Sequence, residues 1–344
     1  MDNPKTRIVY LDIIRIVACA MIFLMHSARP DSGMSSIESS SISMFTASGI
    51  GLFLMVSGAL LLPVRSSGSH FWRHRLGKVV VPTLFWTLFY MFDNYLHGET
   101  DANGMIQSLL SIPFSAQGRG FLWFMYMMCG LYMLAPIISP WLAQCPRREL
   151  ETVLALWGVT LCFPFLKIFL FVNESPYGMY YYFSGFAGYF ILGHYFHRFS
   201  PSTPLWVLCL CLVLPLVVAG CCYFFSLAIN FYDLFWYLSI LIVLMASAWY
   251  LFIQKRFAHI QIPDRLLNYM TVLSNCSFGM FLMHIFLMRR LIWSLPYFNQ
   301  SGGGLVQTLL IFITTFALSF VITYMLSFLP FSKWIIAYTH AKKK

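Results

Sequence analysis

Residues 199–232 read FSPSTPLWVLCLCLVLPLVVAGCCYFFSLAINFY, an unbroken passage from Arg198 to Asp233 without one Asp, Glu, Lys or Arg. A hydrocarbon core about 30 Å thick is crossed by about 20 consecutive apolar residues in a helix, and this passage holds such a run. Further gaps lie between Glu38 and Arg65, Arg119 and Arg147, Glu174 and Arg198, Asp233 and Lys255, Arg265 and Arg289, and Arg290 and Lys333. Each contains at least one run near the required length. The last is broken at Pro296 to Gly304 and need not hold two spans.

The apolar runs predict helices at 8–28, 44–64, 79–97, 120–142, 150–171, 179–197, 204–228, 232–253, 269–290 and 305–328. Long uninterrupted runs exclude a β-barrel, whose strands are short and alternate in polarity. Composition agrees: of 344 residues, 59% are hydrophobic and only 10% charged, with a mean hydropathy of +0.73. A soluble domain carries about 25% charged residues, so too few charges remain to coat one. Disordered and collagen-like chains are excluded too. The expected fold is an all-α polytopic transmembrane bundle of about ten helices, forming a single domain over 1–344.

Lysine and arginine placement sets the expected orientation. With the N-terminus inside, the cytoplasmic segments hold Lys5, Arg7, Arg65, Arg73, Arg75, Lys78, Arg147, Arg148, Arg198, Lys255, Arg256, Arg265, Lys333 and Lys342 to Lys344, or 16 of the 22 basic residues. The opposite loops hold Asp31, Glu38, Asp93, Glu99, Asp101, Glu174 and Asp233, with Arg29 and Arg119 as exceptions. Both termini are expected in the cytoplasm. The net charge of +10 is thus mostly a topology signal, and no basic stripe on a soluble module points to nucleic acid. The first apolar run ends Met25-His26-Ser27-Ala28-Arg29 without a clear small-residue cleavage site, so the first helix is expected to stay as an anchor. The nine cysteines are scattered and lie mostly inside spans, without metal-site spacing. They read as apolar packing, and no metal is expected.

An ionisable residue inside a span is costly, and so marks a candidate site. The first helix has Asp12, Arg15 and His26. Arg15 and His26 are eleven residues apart, about 16 Å along the axis and within about 20° of one face. One helix thus presents a fixed cation near its cytoplasmic side and an imidazole much deeper. A plainer reading has Arg15 snorkelling and pairing with Asp12, with His26 at the outer interface. Spacing alone leaves both open.

The next inner loop, Phe71-Trp72-Arg73-His74-Arg75-Leu76-Gly77-Lys78, gathers three fixed cations and an imidazole. It helps set topology. It also suits phosphate, because arginine forks match phosphate oxygens and lysine adds a point charge, while Trp72 can stack on a base. Gly118-Arg119-Gly120-Phe121-Leu122-Trp123-Phe124 opens the fourth span; Trp123 reads either as an aromatic-belt residue or as part of a cavity with Arg119. In the ninth span, Ser274 to His284 places an imidazole near serines and an asparagine, as a structural or a chemical group. Lys167, Arg289 and Arg290 are further candidates for a polar cavity.

Together these segments resemble the integral-membrane acyltransferase 3 family of bacterial O-acyltransferases that act on surface glycans. The resemblance rests on Tyr10-Leu11-Asp12-Ile13-Ile14-Arg15 followed after ten residues by His26, and on Gly51-Leu52-Phe53-Leu54-Met55-Val56-Ser57-Gly58. It continues in the basic loop closing with Lys78-Val79-Val80-Val81-Pro82, in Phe121 to Phe124 with Tyr132-Met133-Leu134-Ala135-Pro136, and in Ser277 to His284. These pieces stand in order from residue 8 to about 335. Phe281 departs from the tyrosine that members commonly carry. No esterase-like extension is appended, so the chain looks like a stand-alone transmembrane member.

The resemblance implies transfer of an acyl group, commonly acetyl from acetyl-CoA, to a hydroxyl of a glycan or lipid-linked saccharide at the bacterial cytoplasmic (inner) membrane. His26 would act as general base or carry the acyl group itself. Arg15 would hold a phosphate or polarise a carbonyl oxygen. Arg73, Arg75, Lys78 and Trp72 would meet the CoA phosphates and adenine. Asp12, Ser57, Arg119, Trp123 and His284 are substrate or cavity candidates. Partners are then the saccharide acceptor and membrane lipids. The rival is a transporter or flippase of a glycan precursor, which an intramembrane His and Arg also suit.

Overall fold

The computed structural model describes residues 7–28, 36–114, 122–171, 178–224, 234–298 and 303–340. Most of these are helical, with no strand among the described residues. In chain order the helices are α1 (Val9–Ser27), α2 (Ser36–Leu61), α3 (Gly68–Phe71), α4 (Gly77–Leu96), α5 (Ala102–Leu110), α6 (Trp123–Gln144), α7 (Arg147–Thr160), α8 (Phe163–Leu170) and α9 (Ala187–Phe199). They continue as α10 (Leu205–Phe224), α11 (Ile240–Phe257), α12 (Asp264–Phe286), α13 (Gly304–Leu326) and α14 (Ser332–Ile335). Two π-helical turns, Trp72–Leu76 and Leu287–Ile292, lead into α4 and extend α12.

Eight of these segments are long and apolar enough to cross a membrane: Val9–Ser27, Glu38–Leu61, Trp123–Gln144, Arg147–Ile168, Leu205–Phe224, Ile240–Phe257, Asp264–Ile292 and Gly304–Leu326. The chain is therefore an all-α, multi-pass membrane protein. Two expected spans differ. The run at 79–97 does form α4, but Lys78, Asp93, Asn94 and its threonines leave it too polar to join the eight. The run at 179–197 breaks into a 3-10 turn at Tyr181–Phe183 and the 13-residue α9. Gly185, at φ 99°, separates the two pieces. At 1.5 Å per residue α9 is about 20 Å long, short of a full crossing. The run at 150–171 is likewise two helices, because Pro164 starts a new one after Leu161 and Cys162. The run at 232–253 begins its helix only at the Ser239 cap, whose hydroxyl accepts from the Leu241 amide.

The chain forms two compact units. The first comprises Met1–Met25, Met34–Leu62 and Trp141–Ser274. Its closest packing is between α2 and α9, where two glycines remove the side chains that would hold the backbones apart. A Cβ at Gly58 would sit 1.8 Å from the Phe190 carbonyl oxygen, and one at Gly193 would sit 2.0 Å from that of Met55. Small residues at such crossings are the usual route to tight packing in lipid. Tyr10 adds a buried polar knot: its hydroxyl lies 2.6 Å from His197 Nδ1. Gln254 Nε2 lies 3.3 Å from that hydroxyl and 3.2 Å from both the Phe196 carbonyl and Ser200 Oγ.

The second unit comprises His26–Gly33, Pro63–Pro140 and Asn275–Lys344. Helix α13 shows its logic. Gln307, Thr308, Thr315, Ser319 and Thr323 are buried, whereas Val306, Leu309, Ile313, Val321 and Met325 are exposed. The polar stripe points inward and the apolar face outward, the reverse of a soluble amphipathic helix. Helix α4 repeats it, with Thr83, Thr87 and Asp93 buried and Leu84, Phe85, Leu88 and Phe92 exposed. Inward hydroxyls bond within or between helices: Thr83 donates to the Val79 carbonyl at 2.7 Å, and Thr87 meets the Tyr126 hydroxyl at 3.5 Å. After α13 the chain folds back as a strap. Trp86 donates from its indole to the Ile335 carbonyl at 3.0 Å, Ile336 is fully buried, and a Cβ at Gly279 would touch it.

Replacing Gly58 or Gly193 by alanine should force α2 and α9 apart at a cost of about 1–3 kcal/mol. Gly220→Ala on α10, where a Cβ meets open space, should leave stability unchanged or slightly raised. Thermal unfolding of the purified variants in detergent measures the difference.

Candidate functional site

Helix α1 carries both halves of the expected pair. Its early part belongs to the first unit, where Asp12 is nearly buried and doubly satisfied. Arg7 binds it through Nε to Oδ2 and, at 2.9 Å, through a terminal nitrogen to Oδ1; Ser274 Oγ donates to the same Oδ1 at 2.6 Å. Arg15 is half-buried and donates to Ser274 Oγ at 3.3 Å. Asp12 is thus neutralised by Arg7 rather than calling on Arg15, a partner that spacing within the span did not suggest. Ser57 lies half-buried on α2 beside Gly58. The glycine of that motif is explained by its approach to Phe190.

In the second unit, His26 at the end of α1 faces His284 of α12, with ring centroids 5.3 Å apart and planes tilted by 45°. His26 is half-buried, His284 fully buried. His284 Nδ1 lies 2.5 Å from the Phe281 carbonyl oxygen. A carbonyl only accepts, so Nδ1 carries the proton and donates. The Phe281 ring stands 5.4 Å from the same imidazole and contacts Phe124 edge-on at 5.2 Å. Phe281 thereby serves as a wall and, through its backbone, as an orienting acceptor. Arg289 is exposed in the following π-turn.

Tyr90 of α4 fixes the backbone around His284. Its hydroxyl donates to the Leu282 carbonyl at 3.0 Å and accepts from the Phe286 amide at 3.2 Å, one residue pair on each side of the imidazole. Three residues further along α4, Asp93 receives Arg290 Nε at 2.9 Å, and Arg290 also reaches Glu99 at 2.8 Å. This anchors the π-turn. π-bulges recur at functional sites, and here one holds Arg290 inward while leaving Arg289 exposed. Sequence reading named the two arginines but missed Tyr90, because a tyrosine within an apolar run carries no distinguishing pattern.

The basic loop forms the other π-turn. Trp72, Arg73, His74, Arg75 and Lys78 are all exposed. Trp72 is pinned by its indole N–H to the Met133 carbonyl at 3.4 Å, and keeps 41% of its surface exposed. His70 and His74 stack at 4.1 Å, and His74 Nδ1 lies 3.0 Å from the His70 carbonyl. Fixed aromatic faces beside three solvent-facing cations suit a phosphorylated ligand with a planar base. Trp123 is half-buried at the start of α6 against Phe124, with ring centroids 6.3 Å apart. Arg119 lies outside the described residues. Among the described residues no three His, Cys, Asp or Glu side chains converge as a metal site requires.

Tyr90→Phe removes both brackets and should cost about 1–3 kcal/mol, read as a lowered detergent melting temperature. Arg290→Met leaves the Asp93 carboxylate without its guanidinium. The arginine is about one-fifth exposed, so the loss should be roughly 2 kcal/mol, below the 3–5 kcal/mol of a fully buried pair. Asp93→Asn added to Arg290→Met should restore part of it.

No curated protein and no solved structure matches the chain. The family model described as an acyltransferase domain, acyltransferase 3, matches residues 8–324, running through both compact units and through every segment described above except the C-terminal strap. With nearly the whole sequence covered, the chain belongs to the acyltransferase 3 family of membrane acyltransferases.

Proposed function

We propose that the protein is a single-domain O-acyltransferase of the bacterial cytoplasmic membrane. It would move an acyl group, acetyl first among candidates, from acyl-CoA on the cytoplasmic side to a hydroxyl of a cell-surface glycan or lipid-linked saccharide. The distribution of lysine and arginine supports placing both termini in the cytoplasm. The observation that carries the reading is the course of α4. Its N-terminal end begins at the exposed cationic turn, and Tyr90, which braces the His284 segment, lies twelve residues beyond Lys78, about 18 Å along the axis. One helix links a phosphate-suited surface to a half-buried and a buried imidazole.

In this reading Arg73, Arg75 and Lys78 hold the phosphates of the donor, and Trp72 stacks on its adenine. The thioester arm extends along the helical interior. His26 removes the proton of the acceptor hydroxyl as the oxygen attacks the thioester carbonyl. The tetrahedral intermediate collapses with cleavage of the C–S bond, and the CoA thiolate leaves with the proton His26 had taken. Arg15 would stabilise negative charge on the donor, as phosphate or as carbonyl oxygen. Ser274, which itself donates to Asp12, orients Arg15. Ser57, Arg119 and Trp123 remain candidates for contacts with the acceptor. An acyl-His26 intermediate is the second chemical route.

Purified protein incubated with radiolabelled acetyl-CoA and a lipid-linked saccharide should transfer label. His26→Ala should lower kcat by about 10²–10⁴-fold, the usual weight of a general base. Arg73→Ala or Arg75→Ala should raise KM for acetyl-CoA by roughly tenfold, the loss of one charge-assisted contact. Transfer undiminished in His26→Ala removes His26 from the reaction. Neither CoA binding nor transfer to any saccharide acceptor favours the transporter.

A further inference from the structure

We propose that the outward side of the C-terminal strap is a binding surface for the anionic headgroups of phospholipids. The strap and the turn leading into it run from Ser327 to His340, and the acyl-transfer reading above assigns them no part. This stretch is closed on itself. The His340 amide donates to the Ser327 carbonyl at 2.8 Å, and Ser332 Oγ lies 2.7 Å from Thr339 Oγ1. The His340 ring packs against Phe328, with centroids 4.8 Å apart. Ala337, in the left-handed region at φ 56°, lies in the reversal that brings the chain back. Such a loop has two sides. On one, Ser332 and Ile336 are buried, and the Ile335 carbonyl accepts from the Trp86 indole of α4. On the other, Phe328, Phe331 and Trp334 are each about half exposed, and Leu329 and Lys333 are exposed beside them.

Charge and position identify the occupant of that outward side. No Asp or Glu occurs after Asp264, and residues 327–344 carry Lys333, Lys342, Lys343 and Lys344. The Lys333 ammonium lies 4.8 Å from the centroid of the Trp334 ring, so cation and aromatic face are offered together. The exposed side of α13, with Val321 and Met325, runs directly into Phe328 and Leu329. The aromatic rings of the strap therefore continue a lipid-facing surface at the level where the helix ends. Aromatic residues belong to the interface between hydrocarbon and water, and lysines clustered next to a span are drawn to anionic lipid. Lipid phosphates meet the ammonium groups, while Phe331 and Trp334 settle at headgroup depth. The same loop is bonded to α4 through Trp86, so lipid holding its outward side also steadies its inward one.

Hydrogen–deuterium exchange of the amides of residues 328–340 tests this in the full-length protein, held as one copy per nanodisc. Discs of phosphatidylcholine alone are compared with discs containing about 30% phosphatidylglycerol. The anionic lipid should slow exchange in the strap by about tenfold. About 0.5 M sodium chloride should return it to the rate in phosphatidylcholine, because exposed charges are then screened. Equal exchange in the two kinds of disc overturns the proposal, and so does slowing that salt does not reverse. Changing Lys333, Lys342, Lys343 and Lys344 together to glutamine should abolish the effect of phosphatidylglycerol, whereas changing all four to arginine should keep it. An effect undiminished in the glutamine variant overturns the assignment, since the lipid would then act elsewhere. Inorganic phosphate added to phosphatidylcholine discs should leave exchange unaltered; slowing by phosphate alone overturns a lipid surface as the partner. Slowing that requires two copies per disc overturns it in favour of a second copy of the chain. None of these outcomes depends on acyl transfer, which is read separately by the label assay above.

Discussion

Lipid offers a polar group nothing to bond with, and that single restriction orders the rest of the molecule. Hydroxyls and carboxylates carried by these helices turn inward, away from the apolar face. On α13 this puts Ser319 and Thr323 against the interior, bonded to the Phe316 carbonyl and the Met283 sulfur, while Ile313, Val321 and Met325 face out. On α4 it does the same with Thr83, Thr87 and Asp93. The interior of the second unit is consequently a polar place by the standards of a protein core. An imidazole such as His284 can be accommodated there with its N–H satisfied by a backbone carbonyl rather than expelled to an interface.

The same restriction explains why the charged residues are so fully tied. Asp12 takes two nitrogens of Arg7 and the hydroxyl of Ser274; Asp93 takes Arg290. Each carboxylate removes one arginine from the set available for chemistry. Arg289 is distinguished by lying on the exposed side of the π-turn that turns Arg290 inward. The wider turn of a π-helix lets two adjacent arginines do unlike things, one tied to carboxylates and one exposed.

Much of this was legible in the sequence. Gaps between charges located the membrane helices because hydrocarbon tolerates no alternative, and the positions of Arg15, His26, Trp72 to Lys78 and His284 stood out because an ionisable group there needs a reason. What was not legible depended on contacts between distant segments. Nothing in the apolar run at 79–97 marks Tyr90 as the clamp on residues 282 and 286, and nothing near Asp12 marks Ser274. Breaks are equally hard to see: Pro164 and Gly185 divide runs that hydropathy treats as continuous, since an average over a window is insensitive to where a helix must restart. Conversely, Gly58, read as part of a family motif, proves to be a packing position first.

The strap after α13 bears on how the limits of this fold should be drawn. The family match ends at residue 324, yet Ile335 accepts from the indole of Trp86, Ile336 is completely buried, and His340 donates its amide to the Ser327 carbonyl. The matched stretch and the physical closure therefore stop at different residues. A boundary taken from kinship alone would uncover the side of α4 opposite its lipid-facing leucines and open a gap beside Gly279, five residues from His284. The strap at 332–340 is part of the wall, although it lies beyond the matched stretch.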